Sequence, residues 1–110
     1  MVGEPYLARS RSRETTFDRD IADPLELDEH LVRLATEATE SVVAEGRRIT
    51  HVAVKVRTAT FFTRTKISKL PASTTEATEV IRMARAVLAR FDITRPVRLL
   101  GVRVELELPR

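Results

Sequence analysis

The chain switches between two periods of apolar and polar positions, and that switching sets out its elements. From Ile49 to Thr58 the period is two: Val52, Val54 and Val56 fall on one side, His51, Lys55 and Arg57 on the other. Successive side chains of an extended strand point to opposite faces, so this is a half-buried strand with a basic outer face. Val97 to Leu108 alternates likewise. Leu100, Val102, Val104 and Leu106 face inward with Arg98 on their parity, and Leu99, Gly101, Arg103, Glu105 and Glu107 lie between them. Phe61 to Leu70 is the return strand, reached through a turn at Thr58-Ala59-Thr60 and ended by Pro71. There Arg64 and Lys66 share a face opposite Thr63, Thr65 and Ile67. The first strand, Arg9 to Phe17, alternates arginine with small hydroxyl residues, and Asp18 to Asp23 reads as a connection.

Two stretches carry the helical period instead. Leu27, Leu31, Leu34, Ala35, Ala38, Val42 and Val43 form one apolar stripe. Asp23-Pro24 with Glu26 supplies an N-cap, a first-turn proline and a first-turn acid, and Gly46 closes the helix. Ala77, Val80, Ile81, Ala84, Val87, Leu88 and Phe91 form the second stripe, behind the capping-box pattern Ser73-Thr74-Thr75-Glu76. Asp92 to Pro96 then turns the chain. The order β-α-β-β-α-β, with one apolar face per element, predicts an α+β fold: a four-stranded antiparallel sheet with two helices packed on one face. Residues 9–108 make one domain, 1–8 a linker and 109–110 a tail.

With 110 residues, 43% hydrophobic and 32% charged, the chain can bury a modest single core. Its charge is segregated. From Asp18 to Glu45 nine acidic residues face only Arg19 and Arg33, whereas Arg47, Arg48, Lys55, Arg57, Arg64, Lys66 and Lys69 follow with no acid among them. The uncovered sheet side would gather Arg9, Arg11, Arg13, Lys55, Arg57, Arg64, Lys66 and Arg103. In an extended strand Arg9, Arg11 and Arg13 stand about 6–7 Å apart, close to the phosphate spacing of a nucleic-acid strand, and guanidinium suits phosphate. A polyanionic partner is therefore expected.

Other chemistry finds little support. The absence of cysteine excludes a disulfide framework or thiolate metal site and fits a reducing compartment. No apolar run approaches a membrane span. The two histidines, His30 and His51, are distant in sequence and read as surface residues, with no pattern for nucleophilic catalysis. The carboxylates belong to a helix and its approach rather than to a metal cluster. Glu14, among arginines, reads as a pairing residue in the sheet. At least one of Phe61 and Phe62 is expected in the core. Gly101 serves sheet geometry.

Three motifs resemble one family. Arg9-Ser10-Arg11-Ser12-Arg13-Glu14-Thr15-Thr16-Phe17-Asp18-Arg19-Asp20 is similar to the opening of the little finger domain of Y-family DNA polymerases, in the bacterial DNA polymerase IV (DinB) branch. Lys66 through Leu70-Pro71 is similar to that family's basic strand end, and Arg95-Pro96-Val97-Arg98-Leu99-Leu100-Gly101-Val102-Arg103-Val104 to its Pro-Val-Arg-Leu-Leu-Gly-Val signature. Ser12 departs from the family's usual Gly, and Arg11 from its Val or Ile. The resemblance implies a non-catalytic domain that grips template–primer duplex and is tethered to a catalytic core. It implies Arg13, Lys66, Arg98 and Arg103 as the side chains nearest the phosphates, with Ser10, Ser12 and Thr15 offering backbone amides or hydroxyls. No cofactor is implied here, magnesium belonging to a palm that cannot fit this length.

The expected DNA-binding residues are thus Arg9, Ser10, Arg11, Ser12, Arg13, Thr15, Lys55, Arg57, Arg64, Lys66, Arg98 and Arg103. The expected partners are duplex DNA, the parent's catalytic core and a sliding clamp, with no membrane, in a bacterial cytoplasmic monomer. A clamp-binding peptide of the family's type is not expected in residues that run out at Pro109-Arg110. Two rival readings remain: an RRM-like RNA-binding module, which needs exposed aromatics on its first and third strands, and a protein-docking domain. A small ferredoxin-like enzyme is a more distant third.

Overall fold

A computed structural model describes residues 9–59 and 62–107. The expected linker, the tail and Phe61 lie outside the described residues. Six elements follow in order: β1 (Ser10–Ile21), α1 (Pro24–Val43), β2 (Ile49–Thr58), β3 (Thr63–Thr74), α2 (Ala77–Leu88) and β4 (Val97–Leu106). The strands form one sheet in the order β1-β4-β2-β3, with every neighbouring pair antiparallel. This is the expected α+β architecture, with β4 and β2 central and β1 and β3 at the edges.

Both helices lie on one side, α1 against β1 and β4, α2 against β2 and β3. Arg85 ties them together, donating from Nε and Nη2 to the two carboxylate oxygens of Asp28 at 2.9 and 3.0 Å. The core between the layers comes from the predicted stripes: Leu31, Leu34, Ala38 and Val42 from α1, Val80, Ala84 and Val87 from α2, and Val52, Val54, Leu100, Val102 and Val104 from the sheet. Each such large side chain contributes about 1.5–3 kcal/mol by leaving water, so the two helices hold this face of the sheet closed.

The α1 signals act as predicted. The Asp23 carboxylate accepts the Leu25 N–H at 2.9 Å. At the other end Gly46 takes φ +70°, which lets Arg47 N–H reach the Val42 carbonyl at 3.2 Å. The capping box of α2 is different. Glu76 is the N-cap and its side chain makes no cap hydrogen bond, whereas Thr74 Oγ1 accepts the Glu76 N–H at 3.0 Å. Ser73 is held instead by Arg48, which donates to its hydroxyl and carbonyl.

Three boundaries move. β1 runs on through the expected connection to Ile21, because its register slips between Thr16 and Ile21 and the slip turns Ile21 into the core. β3 continues past Pro71 to Thr74. It is an edge strand, and Pro71 falls where the β2 register shifts between Ile49 and His51, so no ladder hydrogen bond needs the missing N–H. α2 stops at Leu88, and Phe91 packs on the core from the following turn.

Candidate nucleic-acid interface

Antiparallel partners share a sheet face, so the registers decide where each cation points. Lys55 pairs with Gly101 and Thr65, and Gly101 with Glu14. The uncovered face therefore carries Ser10, Ser12, Glu14 and Thr16 from β1, Leu99, Gly101, Arg103 and Glu105 from β4, His51, Ala53, Lys55 and Arg57 from β2, and Thr63, Thr65, Ile67 and Lys69 from β3.

This corrects the expectation that Arg9, Arg11, Arg13, Lys55, Arg57, Arg64, Lys66 and Arg103 share one face. Arg11 and Arg13 oppose Val104 and Val102, and Arg64 and Lys66 oppose Val56 and Val54, so all four lie on the helix side. The cause is the period of two. Phe17 on β1 and Leu70 on β3 pack on the core and bring every second residue with them. Arg11 is bound there by the Glu45 carboxylate, its Nε and Nη2 each donating at 2.8 Å. Arg13 is exposed and donates to the Ser12 carbonyl. Thr15, half-buried, shares their side of β1, opposite Leu100. Arg9 is exposed at the foot of β1, where its carbonyl accepts the Leu106 N–H at 2.9 Å. Arg98 lies beside the register slip and donates to Asp20 at 2.8 Å, and that bond raises its guanidinium pKa further above its ordinary value.

What remains on the uncovered face is a basic surface with a low centre. Lys55, Arg57, Lys69 and Arg103 stand among only two carboxylates of the paired strands, Glu14 and Glu105. The pairs are loose: Lys55 Nζ to Glu14 at 3.3 Å, Arg103 to Glu105 at 3.5 Å, with these side chains between a third and a half exposed. Arg57 donates to Thr63 Oγ1 at 3.0 Å. At the centre Ala53 and Gly101 make a shallow depression of about 140 Å³, rimmed by Ser12, Glu14, Lys55, Thr65 and Arg103. A Cβ on Gly101 would stand 3.1 Å from the Glu14 Cβ, so the missing side chain lets the Glu14–Lys55 pair lie across β4. The carboxylate of Glu14 thus pairs within the sheet, as expected. Lys69 was not among the expected site residues, because it shares the parity of Ile67, which reads as a core position in the sequence but lies on the uncovered face.

Residues 8–106 match the family model described as impB/mucB/samB family C-terminal domain. The chain belongs to this family. It is 48% identical over 103 residues to DNA polymerase IV 2 of Mycobacterium tuberculosis, covering 94% of this chain and 30% of that protein. To DNA polymerase IV of Methanoculleus marisnigri it is 41% identical over 98 residues, covering 89% and 27%. The chain therefore spans about a third or less of the curated relatives it matches. Among solved structures, the complex of a beta-clamp processivity factor with the little finger domain of PolIV shares the fold, with a TM-score of 0.73 at 23% identity over 92% of this chain and 91% of that one. A Dbh ternary complex gives a TM-score of 0.74 at 18% identity, over 91% and 30%.

The little-finger resemblance drawn from three motifs is thus borne out, and the motifs take distinct places in this family's fold. The first forms the β1 edge, the second the helix-facing side and end of β3, and the third the start and middle of β4. Arg47 and Arg48 are anchors rather than contact residues: Arg47 donates to the Glu107 carbonyl, Arg48 to Ser73. His51 is half-buried on the uncovered face beside Thr50 and Glu105. The His30 ring is half-buried and lies 4.7 Å from the Phe17 ring at a tilt of 56°, rather than standing free in solvent. Among the described residues no helix is long and apolar enough to cross a membrane. Nor do three or more His, Asp or Glu side chains cluster to hold a metal.

Proposed function

We propose that this domain grips template–primer duplex DNA on its uncovered sheet face, as the non-catalytic little finger of a longer DNA polymerase IV-type enzyme. The observation that carries the reading is the arrangement of Lys55, Arg57, Lys69 and Arg103 around the low centre at Ala53 and Gly101. Small residues let a backbone come close, and cations at the rim meet its phosphates. Ser10 and Ser12 on the β1 edge add hydroxyls and edge amides. Four cations spread over three strands suit phosphates along a backbone, so binding rests on phosphates and is independent of sequence.

Nucleotidyl transfer and its magnesium ions are assigned to the rest of the parent polymerase, to which the domain is tethered in the bacterial cytoplasm. A sliding clamp is a second proposed partner, supported by the fold shared with a little finger domain solved with a beta-clamp. The RRM-like reading has less in its favour. β1 and β3 are the two edges of the sheet, and their uncovered residues, from Ser10 to Thr16 and Thr63 to Lys69, include no aromatic.

Fluorescence-anisotropy titration of a labelled primer–template duplex tests the proposal. Binding in the 10⁻⁴–10⁻⁶ M range typical of non-specific contacts, falling steeply with salt, is expected at about physiological ionic strength. A flat salt response would refute phosphate-based binding.

A further inference from the structure

We infer that the groove at the β2–β3 hairpin end, on the helix side, receives single-stranded nucleic acid continuing from the bound duplex. This inference rests on the duplex reading above. The groove measures about 460 Å³ and lies between that hairpin end and the connection from α2 to β4. Volumes of this size accept small organic ligands. Phe62 stands at its mouth, 58% exposed, with Ile93 across from it at 37% and Phe91 half-buried at its wall. The core therefore does not hold Phe62, and the expectation that at least one of Phe61 and Phe62 is buried turns on Phe61, which lies outside the described residues.

Two cations stand over these rings. Arg64 Cζ lies 4.8 Å from the Phe62 ring centroid, and Lys66 Nζ lies 5.6 Å from that of Phe91. Arg95 lines the same groove. Among the described residues none of the three pairs with a carboxylate, whereas Arg11, Arg19, Arg85, Arg98 and Lys55 all do. Asp92 is the one carboxylate among the lining residues. The Phe62 ring is left in water beside cations that have no carboxylate partner. Ring and cations match a ligand that alternates flat bases with phosphates, since bases stack on aromatic faces and cations follow the backbone. Arg64 and Lys66 alternate on β3, about 6–7 Å apart by strand rise.

The groove and the duplex face share one end of the β2–β3 hairpin. Arg57 on that face donates to Thr63 at the same hairpin end, one residue from Arg64. A strand leaving the duplex there passes the hairpin and meets Phe62. An acidic peptide would neutralise the same cations, but it has no need of an exposed ring clamped by a guanidinium.

The test compares three labelled probes on this chain: a blunt duplex, the same duplex with a 5′ extension of about six thymidines, and the oligothymidine alone, a length within the site size of single-strand binders. The extension is expected to tighten binding about fivefold or more, the low end of one stacked base. Phe62→Ala should abolish that gain while leaving blunt-duplex binding unchanged, and Phe62→Trp should keep it. No gain from the extension, or a gain that survives Phe62→Ala, overturns the inference even where the blunt duplex binds. If the blunt duplex fails to bind, the duplex reading falls. Phe62-dependent binding of oligothymidine alone would then still uphold the groove, and its absence would overturn it. A glutamate-rich aromatic peptide that binds through Phe62 while the extension adds nothing overturns the inference in favour of protein docking.

Discussion

Neutralising one face of the sheet and leaving the other intact separates the two assignments of the basic residues. The uncovered face offers four cations, Lys55, Arg57, Lys69 and Arg103. At about 0.9 counterions released per phosphate neutralised, four contacts give a slope of log K against log salt near −3.6. Raising salt from about 50 to 200 mM should then weaken the wild type about 150-fold. The Lys55→Ala/Arg57→Ala/Arg103→Ala variant keeps Lys69 alone, so its slope should fall to about −0.9 and the same salt step should cost about three- to fourfold.

The control is Arg11→Ala/Arg13→Ala, which removes two cations from the helix side of β1. Its slope should stay within about one unit of the wild type, because Arg11 is already neutralised by Glu45. Both variants should fold. Lys55, Arg57 and Arg103 make exposed pairs or a single hydroxyl contact, and exposed pairs contribute about 0–1 kcal/mol each. Circular dichroism confirms the fold before anisotropy is measured. If the Arg11/Arg13 variant loses most of the slope and the three-residue variant keeps it, the duplex does not lie on the uncovered face.

Further outcomes concern the scaffold. Leu31→Ala, at a fully buried position facing the sheet, should cost about 2–5 kcal/mol, read by urea unfolding. Asp23→Ala removes the cap accepted by Leu25 N–H and should cost about 1 kcal/mol. Gly46→Ala should cost about 1 kcal/mol because φ +70° is strained for a residue with a Cβ, although nothing crowds the site. Asp20→Asn should lower the melting temperature equally at pH 7 and pH 9.5. Asp20 raises the Arg98 guanidinium pKa, so that stabilisation is fully present below the guanidinium's ordinary range and is lost only above it. A difference that disappears by pH 9.5 would point to another titrating group.

The elements were legible because each one's period survives in the sequence: Val52-Val54-Val56 and Leu100-Val102-Val104 could only be strands facing a core. The sidedness of the edge strands was harder to read, because each carries few apolar residues. On β1 the arginines occupy odd positions, and so does Phe17, which alone decides that odd positions turn toward the helices. On β3 Ile67 looked like the core residue, yet it is 40% exposed on the uncovered face while Leu70, of opposite parity, is buried. One apolar residue within each strand outweighed a run of cations, since burying Leu70 or Phe17 stabilises the fold and a long cation reaches water from either face. The groove at Phe62 was illegible because it needs the hairpin end and the turn after α2, about thirty residues apart in sequence, brought side by side.

The strand order explains why a basic face stays open at all. With β2 and β4 central, their outward residues Ala53, Leu99 and Gly101 are covered by neighbouring side chains, not by a third layer: Ala53 is 1% and Leu99 4% exposed, yet neither belongs to the core beneath the helices. The sheet centre needs no helix to shield it from water. The charges sit on either side of that centre, where Lys55 and Arg103 reach over small residues. A third layer would have to bury those loosely paired cations, and taking such charges out of water costs more than the small apolar area there returns. A polyanion meets the same surface without that cost, since it brings the opposite charge with it. Inserting a large side chain at the centre therefore separates shape from charge. Gly101→Leu, which places its first carbon 3.1 Å from the Glu14 Cβ, should weaken duplex binding at every salt concentration by lifting the rim away from the backbone. Because no cation is lost, the salt slope should hold. A slope that falls with the affinity would mean that the substitution displaced Lys55 from its phosphate rather than raising the floor beneath it.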